Sequence, residues 1–196
     1  LRLAQAGRKV TVLERALPGA EASSAAGGIL GAQSEAEADG PLLDLCLRSR
    51  ALYPALASEL KELTGVDIGY RACGVLKVAQ TGPGAEKLRA KAAWQRARGL
   101  KAELLTPEQA RALEPELQGR LEVALHLPDD GQVDNRQLAT ALAIAAVRAG
   151  ARMETGSVKG LHLLQGECRG VELDDRVIEA GAVVLAAGAW SPAVDN

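Results

Sequence analysis

Phenylalanine is missing from this chain of 196 residues, and aromatic side chains make up only 2 % of it. Any core must therefore be assembled from Leu, Val, Ile and Ala, within an apolar share of 47 % that suits a globular domain. Histidine occurs only at His126 and His162, far apart and with no acid or cysteine at ligand spacing, which argues against a zinc centre. Cys46, Cys73 and Cys168 are odd in number and scattered. They form neither a disulfide framework nor a metal-like pair, as expected for a reducing compartment. Neither sign of charge dominates: 23 Lys and Arg stand against 25 Asp and Glu, for a net charge of -2. No basic stripe with interleaved aromatics is present, so no nucleic-acid partner is expected. No signal peptide and no apolar run of membrane-spanning length is found, which makes the cytoplasm the expected location, with no membrane partner.

What is present alternates between helix and strand patterns. "LRLAQAG" reads as the last turns of a helix stopped at Gly7, and "VTVLE" as a strand whose near-continuous apolarity suits a parallel strand covered on both faces. From Pro41 to Leu63 the leucines 45, 52, 56, 60 and 63 recur at helical spacing, and "TGVD" ends that helix. "IGYRACGVLKVAQ" predicts two short strands or a hairpin through Cys73 and Gly74. "GAEKLRAKAAWQRARGL" predicts a polar helix anchored by Trp94. Thr106, Pro107 and Gln109 predict a capped helix, and "LEVALHLPDDGQV" a strand entering a turn. Asp134 and Gln137 predict a second capping box, opening a helix over residues 135–148. Successive strands follow, ending in "AVVLAA", which is expected close to "VTVLE" in one parallel sheet with that helix packed on it. The fold class is α/β, a parallel sheet with an antiparallel and helical insert.

Several stretches are candidates for chemistry. Glu14 closes a strand, as does the acid that accepts from ribose hydroxyls in a nucleotide-binding βαβ unit, but a merely solvated Glu14 fits equally well. Arg8 and Lys9 read as the polar edge of a turn. The run "ASSAAGGILGA", residues 22–32, has side chains small enough for a backbone to approach a flat or anionic ligand. Ser23 and Ser24 add hydroxyls, with the start of a short helix behind them. A tightly packed small-residue turn is the alternative. His126 and His162 read as ordinary sheet histidines, and Asp129 and Asp130 as turn residues before Gly131. Ser191 lacks the strand-turn-helix setting of a nucleophile. "GAVVLAAGAWS" reads as a buried strand whose Gly188 lets the following loop pass close to a cofactor.

Together, "LAQAGRKVTVLER", "EASSAAGGILGAQSEAE", "TGVDI", "PDDGQVD" and "VVLAAGAWS" resemble the FAD-dependent amino-acid oxidase family, and within it the glycine oxidase branch associated with thiamine biosynthesis. The resemblance implies an FAD-binding, Rossmann-like sheet built from residues 1–66 and 129–196, with 67–128 as the insert and the start of a substrate domain. It implies that Glu14 holds the adenosine ribose with Arg15 beside it, and that Ser23 and Ser24 line the pyrophosphate and ribityl region. Ala26, Gly27, Gly28, Ile29 and Leu30 would run past the flavin ring. Val158 would meet the adenine side through its backbone, with Ala187, Gly188 and Trp190 closing over the nucleotide. The implied reaction is oxidative deamination of glycine or another small amino acid or amine, with O2 as electron acceptor. The family's opening strand and Gly-x-Gly-x-x-Gly turn do not occur in these residues. The expectation is therefore an incomplete fold, inactive alone, with the substrate-gripping residues outside it and a homo-oligomer or a second chain as partner. Other amine oxidases of the family, a D-amino-acid dehydrogenase and a non-catalytic fragment remain alternatives.

Overall fold

The computed structural model describes residues 1–194. In chain order its first elements are α1 (Arg2–Gln5), β1 (Thr11–Glu14), α2 (Ala22–Ala25), β2 (Ile29–Leu30), α3 (Pro41–Thr64), β3 (Val75–Ala79) and α4 (Gly82–Ala97). Then come β4 (Glu103–Leu105), α5 (Pro107–Leu113), β5 (Val123–Leu127), β6 (Gly131–Gln132) and α6 (Asn135–Arg148). The strands β7 (Arg152–Thr155), β8 (Gly160–Leu164), β9 (Glu167–Glu172) and β10 (Val177–Glu179) precede a 3-10 turn at Gly188–Ala193. The chain is α/β and divides into two units, residues 1–22 with 142–196, and residues 23–141.

In the discontinuous unit, Gly7 takes φ +75° at the end of α1, the left-handed conformation that favours glycine. The parallel pair is β1 with β7, in register from Thr11 opposite Arg152 to Glu14 opposite Thr155. Ala4, Ala146 and Ala151 are buried beside it with Leu1 and Val10 against them, so small side chains do the packing here. A separate antiparallel sheet runs β10-β9-β8. The expected strand "AVVLAA" does not form: residues 182–187 carry no regular structure, and Val184 is 76 % exposed. β1 takes β7 as its partner, and no described strand pairs with 182–187. Without a ladder, a β-branched run lacks the backbone bonds that define a strand. Its apolarity signalled a need for cover rather than cover itself.

In the continuous unit, β5 is the centre of the antiparallel order β3-β5-β4. Ala92 of α4 packs on Leu125 and Leu127, and Ala85 on Val123 and Ala79, with Leu88 and Leu104 bridging both clusters. Alanine on the helix lets it approach the leucine-rich strand closely, as a core without Phe requires. Thr106 and Gln109 form the reciprocal capping box of α5. Asp134 accepts from the N–H groups of Arg136 and Gln137 at the start of α6. The hairpin through Cys73 and Gly74 does not form. Arg71 instead bridges to Gln132, and β3 starts at Val75 and pairs with β5. α3 matches its expected span and ends at Gly65 in the left-handed conformation. Of its leucine stripe, however, Leu60 is buried while Leu45 and Leu52 are exposed.

The main departure concerns Asp130. Asp129 behaves as a turn residue, paired with Lys101 at 2.9 Å. Asp130 is instead fully buried. Its carboxylate accepts from the backbone N–H of Gln33 at 3.2 Å and of Ser34 at 2.8 Å, and from the Arg50 guanidinium at 2.5 Å. Gln33 in turn donates to Gln95 on α4 and to the Lys101 carbonyl. The "DDG" pattern is a turn signal because short polar side chains bond their own neighbours. Here one of the two acids turns inward to distant partners. Replacing Asp130 by Asn leaves the Arg50 charge uncompensated and is expected to cost about 3–5 kcal/mol. Urea unfolding of wild type and Asp130→Asn measures this, and an unchanged midpoint would remove the network from its structural role.

Candidate functional site

Two adjacent parallel strands place their carboxyl ends at one edge, the position where open α/β sheets bind ligands. At that edge of the discontinuous unit stands Glu14. Its Oε1 accepts from the N–H of Ala16 at 3.2 Å, while Oε2 has no partner among the described residues. The main-chain carbonyl of Glu14 accepts from the N–H of Gly156 at 2.9 Å, which ties the loop after β7 to the end of β1. Val158, half-buried, lies in that loop two residues on. Arg15 is held from two sides. It pairs with Glu21 at 2.9 Å, and its guanidinium carbon sits 4.2 Å from the ring centroid of Trp190. A cation over an indole face at that distance is attracted by the ring quadrupole. Trp190 belongs to the 3-10 turn that Gly188 opens with φ +56°, and Ala187 stands just before it. The turn of Trp190 is thus brought onto Arg15, and the loop that bears Val158 is fastened through Gly156 to the end of β1. The Arg15–Trp190 contact has no local signal in the sequence.

The continuous unit holds the small-residue run. α2 spans only four residues, so Ser23 and Ser24 do not sit on a helix long enough to present an end-on dipole. Their carbonyls are tied down instead, Ser23 by the Asn135 amide and Ser24 by the Arg136 Nε. Ala26 and Gly27 are exposed, Gly28 is buried, and Ile29 is 61 % exposed. Gly28 has φ +74°, its carbonyl accepts from the N–H of Val133 at 2.9 Å, and a Cβ there would fall 2.0 Å from the Val133 carbonyl oxygen. Ile29 and Leu30 then pair with Gln132 and Gly131. The run is therefore pinned at Ser23–Ser24 and at Gly28, while Ala26, Gly27 and Ile29 stay open on its outer side.

Both histidines sit in strands, as expected, each beside an acid, His126 by Glu103 at 3.0 Å and His162 by Glu172 at 3.1 Å. Among the described residues no group of three His, Cys, Asp or Glu side chains is placed to hold a metal ion, and no helix is long and apolar enough to cross a membrane. In the discontinuous unit, the carboxylate with one oxygen unpartnered among the described residues and the stacked arginine suit the hydroxyls and phosphate of a nucleotide; in the continuous unit, the open small-residue backbone by itself offers flat access for a ring.

Comparison with known proteins agrees with that chemistry. The family described as FAD dependent oxidoreductase matches over residues 1–196. A glycine oxidase from Geobacillus kaustophilus is 41 % identical over 192 residues, covering 96 % of this chain and 50 % of the relative. Its crystal structure superposes with a TM-score of 0.92 over 98 % of this chain and 52 % of that one, at 40 % identity. The crystal structure of a glycine oxidase from Bacillus cereus gives a TM-score of 0.91 at 34 % identity, over 98 % and 52 % of the two chains. A bifunctional ThiO/ThiG protein of Synechocystis is 36 % identical, over 97 % of this chain and 27 % of the relative. The chain thus spans half or less of the length of these curated relatives.

Gly27 and Gly28 make opposite predictions. Gly28→Ala meets both a left-handed backbone and a carbonyl, and is expected to lower stability by about 1–3 kcal/mol or more. Gly27→Ala meets only the Ile29 Cγ1 at 4.0 Å and is expected to stay within about 0.5 kcal/mol of wild type. Thermal unfolding of both variants checks the contrast.

Proposed function

Because the chain belongs to the FAD dependent oxidoreductase family, we propose that it carries cofactor-binding parts of a glycine oxidase-like flavoenzyme that deaminates glycine or another small amino acid or amine. The carrying observation is Glu14 at the carboxyl edge of β1 and β7 with Oε2 unengaged among the described residues. Such a carboxylate accepts from a pair of vicinal hydroxyls, as a ribose presents. Bound FAD would supply the hydride acceptor for the substrate α-carbon, with O2 as the final electron acceptor. The chain's own residues bind and orient. Glu14 takes the ribose, and Arg15, fixed by Glu21 and Trp190, keeps a cation beside it. Val158 offers its backbone to the adenine side, and Ala187 and Gly188 lead into the turn that carries Trp190. Ser23 and Ser24 supply hydroxyls toward the pyrophosphate and ribityl chain. Ala26, Gly27, Gly28, Ile29 and Leu30 give a narrow backbone past which a planar ring fits. The similarity to glycine oxidases at 41 % and 34 % identity supports the substrate class, and the ThiO/ThiG relative supports a place in thiamine biosynthesis.

Glu14→Gln keeps the shape and removes the charge that strengthens the ribose hydrogen bonds. FAD binding to the apoprotein is expected to weaken by about 1–3 kcal/mol, or roughly five- to 150-fold in dissociation constant. Flavin fluorescence titration reads it, and equal affinity in both forms would show that Glu14 is not a ligand. Gly27→Ala adds a second readout: a methyl in the path of the ring weakens FAD while leaving unfolding unchanged. In a panel of glycine, sarcosine and D-alanine, hydrogen peroxide release in air supports an oxidase. Reduction of an artificial dye without peroxide instead supports the dehydrogenase alternative.

A further inference from the structure

The alternation of β3 puts Val75, Lys77 and Ala79 on one face, with Lys77 opposite Leu125, a residue packed against α4. The other face carries Val78, which is 42 % exposed. The arrangement inverts that of a solvated strand: the lysine is on the covered side and the valine on the open one. Lys91 comes to the same place from α4, one residue before buried Ala92 and four before buried Gln95. Both ammonium groups are half-buried and donate to a single acceptor, the Ser34 carbonyl oxygen, at 2.8 and 2.6 Å. A carbonyl oxygen has two lone pairs and only partial charge, so the two cations use its capacity without being neutralised.

No carboxylate makes an ion pair with either lysine among the described residues; the lysines that do pair are Lys61, Lys101 and Lys159. Burial, and then Lys77, holds the Lys91 ammonium below the usual lysine range, while Glu35, Glu37 and Asp130 pull the other way without forming an ion pair with it. Asp130 is already engaged by Arg50. Ser34 also carries a buried hydroxyl oxygen with no partner. Each ammonium has three donors, of which the protein takes one.

We propose that Lys77 and Lys91 form a binding site for a small oxyanion, a carboxylate or a phosphate, held between the two ammonium groups beside the Ser34 carbonyl. The site lies wholly in the continuous unit and uses none of the residues assigned to the flavin. An anion there supplies the direct ion pair that Glu35, Glu37 and Asp130 do not make, and favours the protonated form of Lys91, raising its titration midpoint.

The test is carbon NMR of the lysine ε-methylene groups, assigned with Lys77→Arg and Lys91→Arg. Inorganic phosphate, or acetate, is titrated against chloride at constant ionic strength. Saturable, joint shifts of the Lys77 and Lys91 signals with a raised Lys91 midpoint are expected. Lys77→Gln and Lys91→Gln are each expected to weaken binding by about tenfold or more, since each removes a charge-assisted hydrogen bond. Saturation by phosphate alone assigns a phosphate ligand, and saturation by acetate alone a carboxylate. Shifts no larger than those in chloride, or binding unchanged in both glutamine variants, would overturn the proposal. The titration of the unaltered protein decides the matter even where a glutamine variant fails to fold.

Discussion

A single buried carboxylate organises the continuous unit. Asp130 gathers the backbone of Gln33 and Ser34, the guanidinium of Arg50 on α3 and, through Gln33, the Gln95 amide on α4. A charge withdrawn from water is tolerated only when its partners are in place, so this knot admits one arrangement of the segments that meet there. Its position in the chain matters as much as its strength. Asp130 immediately precedes β6, and Gln33 follows β2 by three residues, so the acid anchors the two strands that carry the small-residue run and its support. At the other end, Asn135 and Arg136 hold the Ser23 and Ser24 carbonyls. The glycine-rich backbone, which has little packing of its own, is fixed by polar contacts at both ends.

Elements were legible in the sequence where the code is local. The Thr106–Gln109 box, the glycines that stop α1 and α3, and the span of α6 each depend on residues within a turn or two of one another, and all stand where the pattern put them. Asp130 was not legible, because the turn rule sees only near neighbours and its partner Gln33 lies 97 positions away. Residues 182–187 show the reverse failure: an apolar run states a preference for burial, and pairing depends on which strand is available. Leu45 and Leu52 make the same point on a helix, since periodicity gives the stripe but not which part of it finds a neighbour.

The candidate site divides in the same way. Glu14 was readable as an acid closing a strand, and the structure adds that one of its oxygens is unengaged among the described residues and that the loop bearing Val158 is fastened to its carbonyl through Gly156. The contact between Arg15 and Trp190 could not be read, because nothing in either neighbourhood names the other. In a chain so poor in aromatic side chains, one of its two tryptophans is spent on stacking an arginine rather than on filling a core. Alanine and leucine do the packing, which keeps the helix α4 close to its sheet.

The parallel pairing of β1 with β7 sets an order of events while the chain is being made. Thr11–Glu14 leaves the ribosome well before its ladder partner Arg152–Thr155, which is translated only after the whole continuous unit. For that interval β1, with Val12 and Leu13, is without β7, its partner among the described residues, while residues 23–141 already contain both sides of the described sheets β2-β6 and β3-β5-β4. Contacts between distant segments close slowly because a long loop must be ordered first, and a strand waiting for its partner is exposed to pairing with another chain. Arg8 and Lys9 before it and Arg15 after it put cations at both ends of that strand, beside the single acid Glu14, and this excess of one sign guards the strand against its own copies during synthesis.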